Sequence, residues 1–126
     1  MFYSDNIEGI SILQNEIPNE LQDWHEFGNI LEMHYYKQIF DESSFNYVSC
    51  IELLLTDIQN RYTIKVLLFN VVGELSFDMI NGFYSGFLIE DCSDWGYEKE
   101  CRYRISSYED ISFEIFCEKV KVELVR

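Results

Sequence analysis

No Lys or Arg occurs between Met1 and Tyr36, a stretch that holds seven acids. That third of the chain offers no counter-charge to nucleic acid or to anionic lipid. Long apolar runs are also missing: the longest, such as residues 66–69, stop far short of a membrane span. Residues 1–14 hold two acids, no Lys or Arg and no long apolar stretch, so they do not read as a secretory signal, and the expected location is the cytoplasm. Among the motifs, GxSxG, HExxH, a glycine-rich phosphate loop and EF-hand spacing are all absent. No cofactor, no metal and no enzymatic activity are therefore expected.

The four cysteines, Cys50, Cys92, Cys101 and Cys117, form no CxxC pair, which leaves structural zinc unsupported. In a reducing compartment they are expected to be free thiols. Cys50 and Cys117 sit in apolar, strand-like runs and read as small core residues. Cys92 and Cys101 flank an acidic loop and are the one pair for which a hairpin bridge is open.

Acid dominates what is present. Twenty-three Asp and Glu face nine Lys and Arg, for a net charge of -14. Residues 1–60 contribute eleven acids and only Lys37, while residues 61–126 contribute twelve acids and eight bases. Such a chain repels polyanions and attracts a cation or a basic protein surface, the alternative being that the charge only keeps it soluble. An aromatic content of 17% and a hydrophobic content of 48% argue against disorder. At 126 residues the chain fits one domain that buries roughly two-thirds of its unfolded surface.

Periodicity predicts mostly strands. Ile10 to Leu13 reads as a short edge strand. Ile17, Leu21 and Trp24 recur at helical spacing after Pro18 and before Gly28, which predicts one two-turn helix over residues 17–27. After Gly28 the period becomes two. Strands are predicted from Leu31, over residues 47–57, 62–69, 74–80, 84–90 and 101–106, with turns at Ile58-Gln59-Asn60-Arg61 and Asn81-Gly82. In the last segment Ile111, Phe113, Ile115 and Cys117 are apolar at odd positions, whereas Val120, Val122 and Leu124 are apolar at even ones. That slip near Glu118-Lys119 predicts a bulge, or a strand that bends and changes its packing partner. The expected fold is mainly β: an antiparallel sheet curved into a sandwich or half-barrel, with one short N-terminal helix.

Two groups of residues are candidate contacts. The first is the loop with Asp91, Asp94, Trp95, Tyr97, Glu98 and Glu100, where two aromatics sit among acids. Trp and Tyr bury large area yet keep a polar tip, so they suit an interface; the competing reading is a solvated loop with Trp95 folded over the core. The second is Glu16, Glu20, Asp23 and Glu26, a carboxylate surface able to imitate a phosphate backbone or simply a solvated helix face. Neither His25 nor His34 has a sequence neighbour that marks a nucleophile–base pair.

The run Ser85-Gly86-Phe87-Leu88-Ile89, then Asp94-Trp95-Gly96-Tyr97-Glu98, Arg102-Tyr103, Tyr108-Glu109-Asp110 and Ile111-Ser112-Phe113-Glu114-Ile115-Phe116-Cys117, resembles small bacterial β-rich immunity-type proteins. These are encoded with polymorphic or contact-delivered toxins. The resemblance spans residues 28–126 as a pattern and implies a cytoplasmic, non-enzymatic inhibitor of one cognate toxin; the acidity agrees with a basic toxin as the protein partner and argues against nucleic acid and membrane. Two other classes stand beside it: a small-ligand-binding or protein-interaction β-domain, and an enzyme without a recognised motif. A large apolar cavity lined by Phe and Tyr favours the ligand carrier, and His, Cys and carboxylates converging in a cleft favour the enzyme.

Overall fold

A computed structural model of the chain describes residues 2, 7–41, 46–72, 87–96, 98, 101–107 and 114–125. Six antiparallel strands form one sheet: β1 (Asn29–Asp41), β2 (Asn46–Thr56), β3 (Thr63–Val72), β4 (Phe87–Asp91), β5 (Tyr103–Ser107) and β6 (Glu114–Val125), in the order β1-β2-β3-β6-β5-β4. The mainly β, antiparallel expectation is met. The sheet is single and does not close, so among the described residues β1 and β4 are its edges. The strand expected over residues 74–80 and the Asn81-Gly82 turn lie outside the described residues.

One face of the sheet is covered by the N-terminal segment. Ile51, Leu53 and Leu55 of β2 are buried there beside Ile64, Val66 and Leu68 of β3 and Val120 and Val122 of β6. Ile10, Leu13, Ile17, Leu21, Trp24 and Phe27 complete the core from the covering layer. The rings of Phe2 and Trp24 lie 4.5 Å apart. Each such side chain contributes roughly 1.5–3 kcal/mol by leaving water.

The helix is not where periodicity placed it. α1 spans Ile10–Glu16, the stretch read as an edge strand, and residues 17–27 form two 3-10 turns, Asn19–Leu21 and Trp24–Glu26. The helical spacing is genuine as a burial pattern, since Ile17, Leu21, Trp24 and Phe27 are all buried. Pro18 supplies no N–H to continue α1 into this segment, and the turn at Gln22 returns its side chain to α1. Gln22 Nε2 donates to the carbonyls of Gln14 (2.8 Å) and Ile17 (2.7 Å), satisfying acceptors that a continued helix would have bonded. At the other end of α1, Gly9 takes φ 88, and a Cβ there would overlap the carbonyl oxygen of Val122. That close approach lets Glu8 pair with β6, its N–H on Val120 O and its carbonyl on Val122 N–H.

The predicted slip in β6 is present, and β3 slips with it. Ile115 and Cys117 are buried, then Val120 and Val122. On β3 the buried series Ile64, Val66, Leu68 gives way to Val71, which packs against the core. The ladder holds one register across the change, with Leu68 opposite Val120 and Val71 opposite Cys117. Between these pairs Asn70 adopts φ 59 and its amide donates to Glu118 Oε1 at 3.3 Å. Both strands therefore turn over together. β6 also exchanges neighbours here, because β5 pairs with it only up to Cys117 and Glu8 takes that side from Val120.

Asp57 organises the β2–β3 turn. Its buried carboxylate accepts the N–H groups of Arg61 (2.7 Å) and Tyr62 (2.9 Å), with the Arg61 guanidinium 3.4 Å from the other oxygen. Burial alone would raise its pKa, but these donors outweigh it and hold the carboxyl below the usual range. A folded pKa below the unfolded one stabilises fully above about pH 5, and the benefit disappears as pH falls through the folded value. Asp57→Asn is expected to lose about 2 kcal/mol at neutral pH. Urea melts at decreasing pH should show this difference from wild type shrinking below about pH 4. A difference independent of pH would contradict the role given to the charge.

Candidate functional site

The acidic loop leaves the sheet between β4 and β5 with a fixed neck. Asp91 pairs with Tyr103, and beyond that pair Cys92 N–H donates to Arg102 O at 2.6 Å. Asp91 Oδ1 accepts the N–H of Ser93 at 2.9 Å, which starts the 3-10 turn Ser93–Trp95. Gly96 at φ 78 then reverses the chain, and Glu98 O accepts Cys101 N–H at 2.9 Å. Asp94 and Glu98 are exposed, and Trp95 keeps 47% of its surface in solvent. Trp95 is thus not folded over the core. Tyr97 and Glu100 lie outside the described residues.

Not every acid of this loop faces outward. Glu90 is engaged by Arg104, whose guanidinium reaches Glu90 Oε1 at 2.8 Å and Glu114 Oε2 at 2.6 Å, tying β4, β5 and β6 together. The half-buried Asp91 has one oxygen on the Ser93 amide. The fully exposed charge among the described residues of the loop comes from Asp94 and Glu98.

The second group is spread along the covering layer. Glu16 ends α1, which packs on β6, and Glu20 lies in the first 3-10 turn; both are exposed. Asp23 and Glu26 flank His25, with carboxylate oxygens 3.1 Å from Nδ1 and 3.4 Å from Nε2. Their turn packs against β4, so these two acids border the strand from which the Asp94–Trp95 loop springs. The turn ending at Glu26 thus contacts the strand that leads into the loop, whereas α1, ending at Glu16, contacts β6.

Sequence reasoning missed the uncovered face of the sheet. Register places Tyr36, Cys50, Phe69 and Lys119 in one row across β1, β2, β3 and β6, with Glu52, Leu67 and Lys121 in the adjacent row. A groove of about 220 Å³ lies over this row. The alternation showed that these residues oppose the core positions, but only the pairing register shows that they are neighbours. Cys50, expected in the core, is buried on this face instead, beneath the groove, where its thiol approaches Gln38 Oε1 at 3.9 Å. It is shielded by Tyr36 and Gln38 rather than by the covering layer.

All four cysteines are free, and Cys101 is the only one not fully buried. Burial, with Glu90 nearby, pushes the Cys92 thiol up, and burial pushes the Cys117 thiol far above its ordinary value. Both shifts favour the neutral thiol over the thiolate. Among the described residues no group of three or more His, Cys, Asp or Glu is placed to hold a metal ion, and no helix is long and apolar enough to cross a membrane. Comparison with family models, with curated proteins and with solved structures gives no match.

The two tryptophans are opposites, Trp24 fully buried and Trp95 half-exposed, which makes the loop's placement measurable. Acrylamide, being neutral, is not repelled by the acidic surface. It should quench one part of the fluorescence readily, and Trp95→Phe should remove that part while changing stability by less than about 0.5 kcal/mol. Fluorescence in Trp95→Phe that is still strongly quenched would place the exposed indole elsewhere.

Proposed function

We propose that this protein is a non-enzymatic acidic binding protein that neutralises a cognate basic toxin, as the immunity-type resemblance implies. The observation that carries the reading is the presentation of Trp95. A large aromatic is held half in solvent between exposed Asp94 and Glu98, on a loop whose ends are fixed by hydrogen bonds. Pre-ordered aromatic anchors lose little conformational entropy on binding, and carboxylates around them steer a cationic surface into place. Asp23 and Glu26, bordering β4, extend the same acidic side.

The two contributions separate in kinetics. Charge acts on encounter, and buried anchoring acts on release. Capture from the native host with wild-type and Trp95→Ala bait, read by mass spectrometry, should recover a basic protein with the wild type and much less of it with the variant. With that partner purified, Trp95→Ala should weaken binding by about 2 kcal/mol, roughly thirtyfold, chiefly through faster dissociation. Asp94→Asn with Glu98→Gln should slow association and flatten its dependence on salt. Equal affinity in Trp95→Ala would move the interface off this loop, and salt-independent association would remove the role of charge.

A further inference from the structure

The groove on the uncovered face has a chemistry of its own, on the side of the sheet opposite the covering layer. Its floor is apolar: Cys50 is the smallest residue of its row, so the surface dips between Tyr36 and Phe69, and Leu67 borders the dip. Strand spacing of roughly 4.8 Å sets Tyr36 and Phe69, two strands apart, about 10 Å from each other at the backbone, wide enough to admit a flat ring or an alkyl chain. At 220 Å³ it is smaller than the roughly 300–1,000 Å³ of sites for drug-sized ligands, which restricts the occupant to a compact molecule.

Charge defines the other end. Lys119 and Lys121 line the groove there. The Lys119 ammonium lies 5.6 Å from the centre of the Phe69 ring and has no ion pair with any carboxylate among the described residues. Lys121 is paired only with Glu123, at 3.5 Å, an exposed contact that a ligand can displace. Glu8 also borders this end, but it forms no ion pair with either lysine. With Lys121 shared with Glu123 and Glu8 on the rim, Lys119 is the lining cation that no described carboxylate engages, a ready partner for an anionic group on a chain of net charge -14. At the far end burial, and then the neighbouring Cys50 and Glu52, raise the Tyr36 phenol, so its hydroxyl stays protonated and able to donate.

We propose that this groove binds a small monocarboxylate with an apolar body, an aryl-alkanoate for example, its body on Cys50, Leu67 and Phe69 and its carboxylate between Lys119 and Lys121. An apolar amine would meet the same floor but the wrong charge, and a polyanion would not fit the floor. The site is independent of the Trp95 loop, so either can fail without the other.

The test is a titration of the isotopically labelled protein followed by amide chemical shifts, with phenylbutyrate, phenylbutylamine and phenylbutanol as matched probes. Phenylbutyrate should give saturable one-site shifts centred on Cys50, Phe69 and Lys119. The amine and the alcohol should bind at least about tenfold more weakly, as loss of a hydrogen bond to a charged group implies. Lys119→Gln with Lys121→Gln, both at exposed positions, should weaken phenylbutyrate by a similar factor without changing the rest of the spectrum. Phenylbutyrate shifts that do not saturate, or saturate away from these residues, would overturn the proposal. So would an amine or alcohol that binds as well as the acid, or an unchanged affinity in the double variant.

Discussion

The simultaneous reversal of β3 and β6 at Asn70 and Glu118 is the constraint on which the rest of this fold depends. An ordinary antiparallel pair keeps one set of side chains on one face throughout. Here Ile64, Val66 and Leu68 with Val120 and Val122 face the core, and so do Val71, Cys117 and Ile115, three positions that strict alternation from the first set would turn away. A matched irregularity on both strands leaves the ladder in register. The exchange of neighbours happens at the same level. β5 serves β6 up to Cys117, and Glu8, held close by Gly9, serves it from Val120. The covering layer is thereby anchored to β6 where the sheet would otherwise show an unpaired edge.

From this geometry the molecule acquires two unlike sides. The covered side carries Glu16, Glu20, Asp23 and Glu26 of the covering layer, with the turn at Trp24–Glu26 against β4. The uncovered side gathers Lys65, Arg104, Lys119 and Lys121 across the strands, most of them tied to Glu52, Glu90, Glu114 or Glu123. The exception is Lys119, set over Phe69 at the end of the groove. A protein that is strongly acidic in sum thus carries carboxylates on its covering layer and, on the opposite face, a small recess bordered by Lys119 and Lys121.

Much of the β architecture could be read directly, because period-two alternation is a local property. The alternation sets Ile51, Leu53 and Leu55 on one face of their strand and Ile64, Val66 and Leu68 on one face of the next, and all six are buried. The shift from Cys117 to Val120 was visible for the same reason; in β3 the sequence shows a break of alternation at Val71-Val72-Gly73, while the left-handed residue that turns the strand, Asn70, leaves no trace of its own. The helix was misplaced because two short segments shared one kind of signal. Ile10, Leu13 and Ile17 are too few to outweigh a strand reading, and Ile17 to Phe27 bury the right residues through 3-10 turns closed by Gln22. Of the candidate site, the loop with Asp94 and Trp95 was evident from composition. The engagement of Glu90 by Arg104, and the groove over Cys50, depend on which strands are adjacent, and no single stretch of sequence carries that order.

The left-handed backbone at Asn70 carries the face reversal, and the stability of two variants at that position reports on it. Glycine adopts φ 59 without strain, so Asn70→Gly should lose no more than about 1 kcal/mol in urea melts, chiefly from the missing contact with Glu118. Valine is strained there, so Asn70→Val should lose about 2–3 kcal/mol. Equal losses in the two variants, or a valine tolerated as well as glycine, would contradict the account.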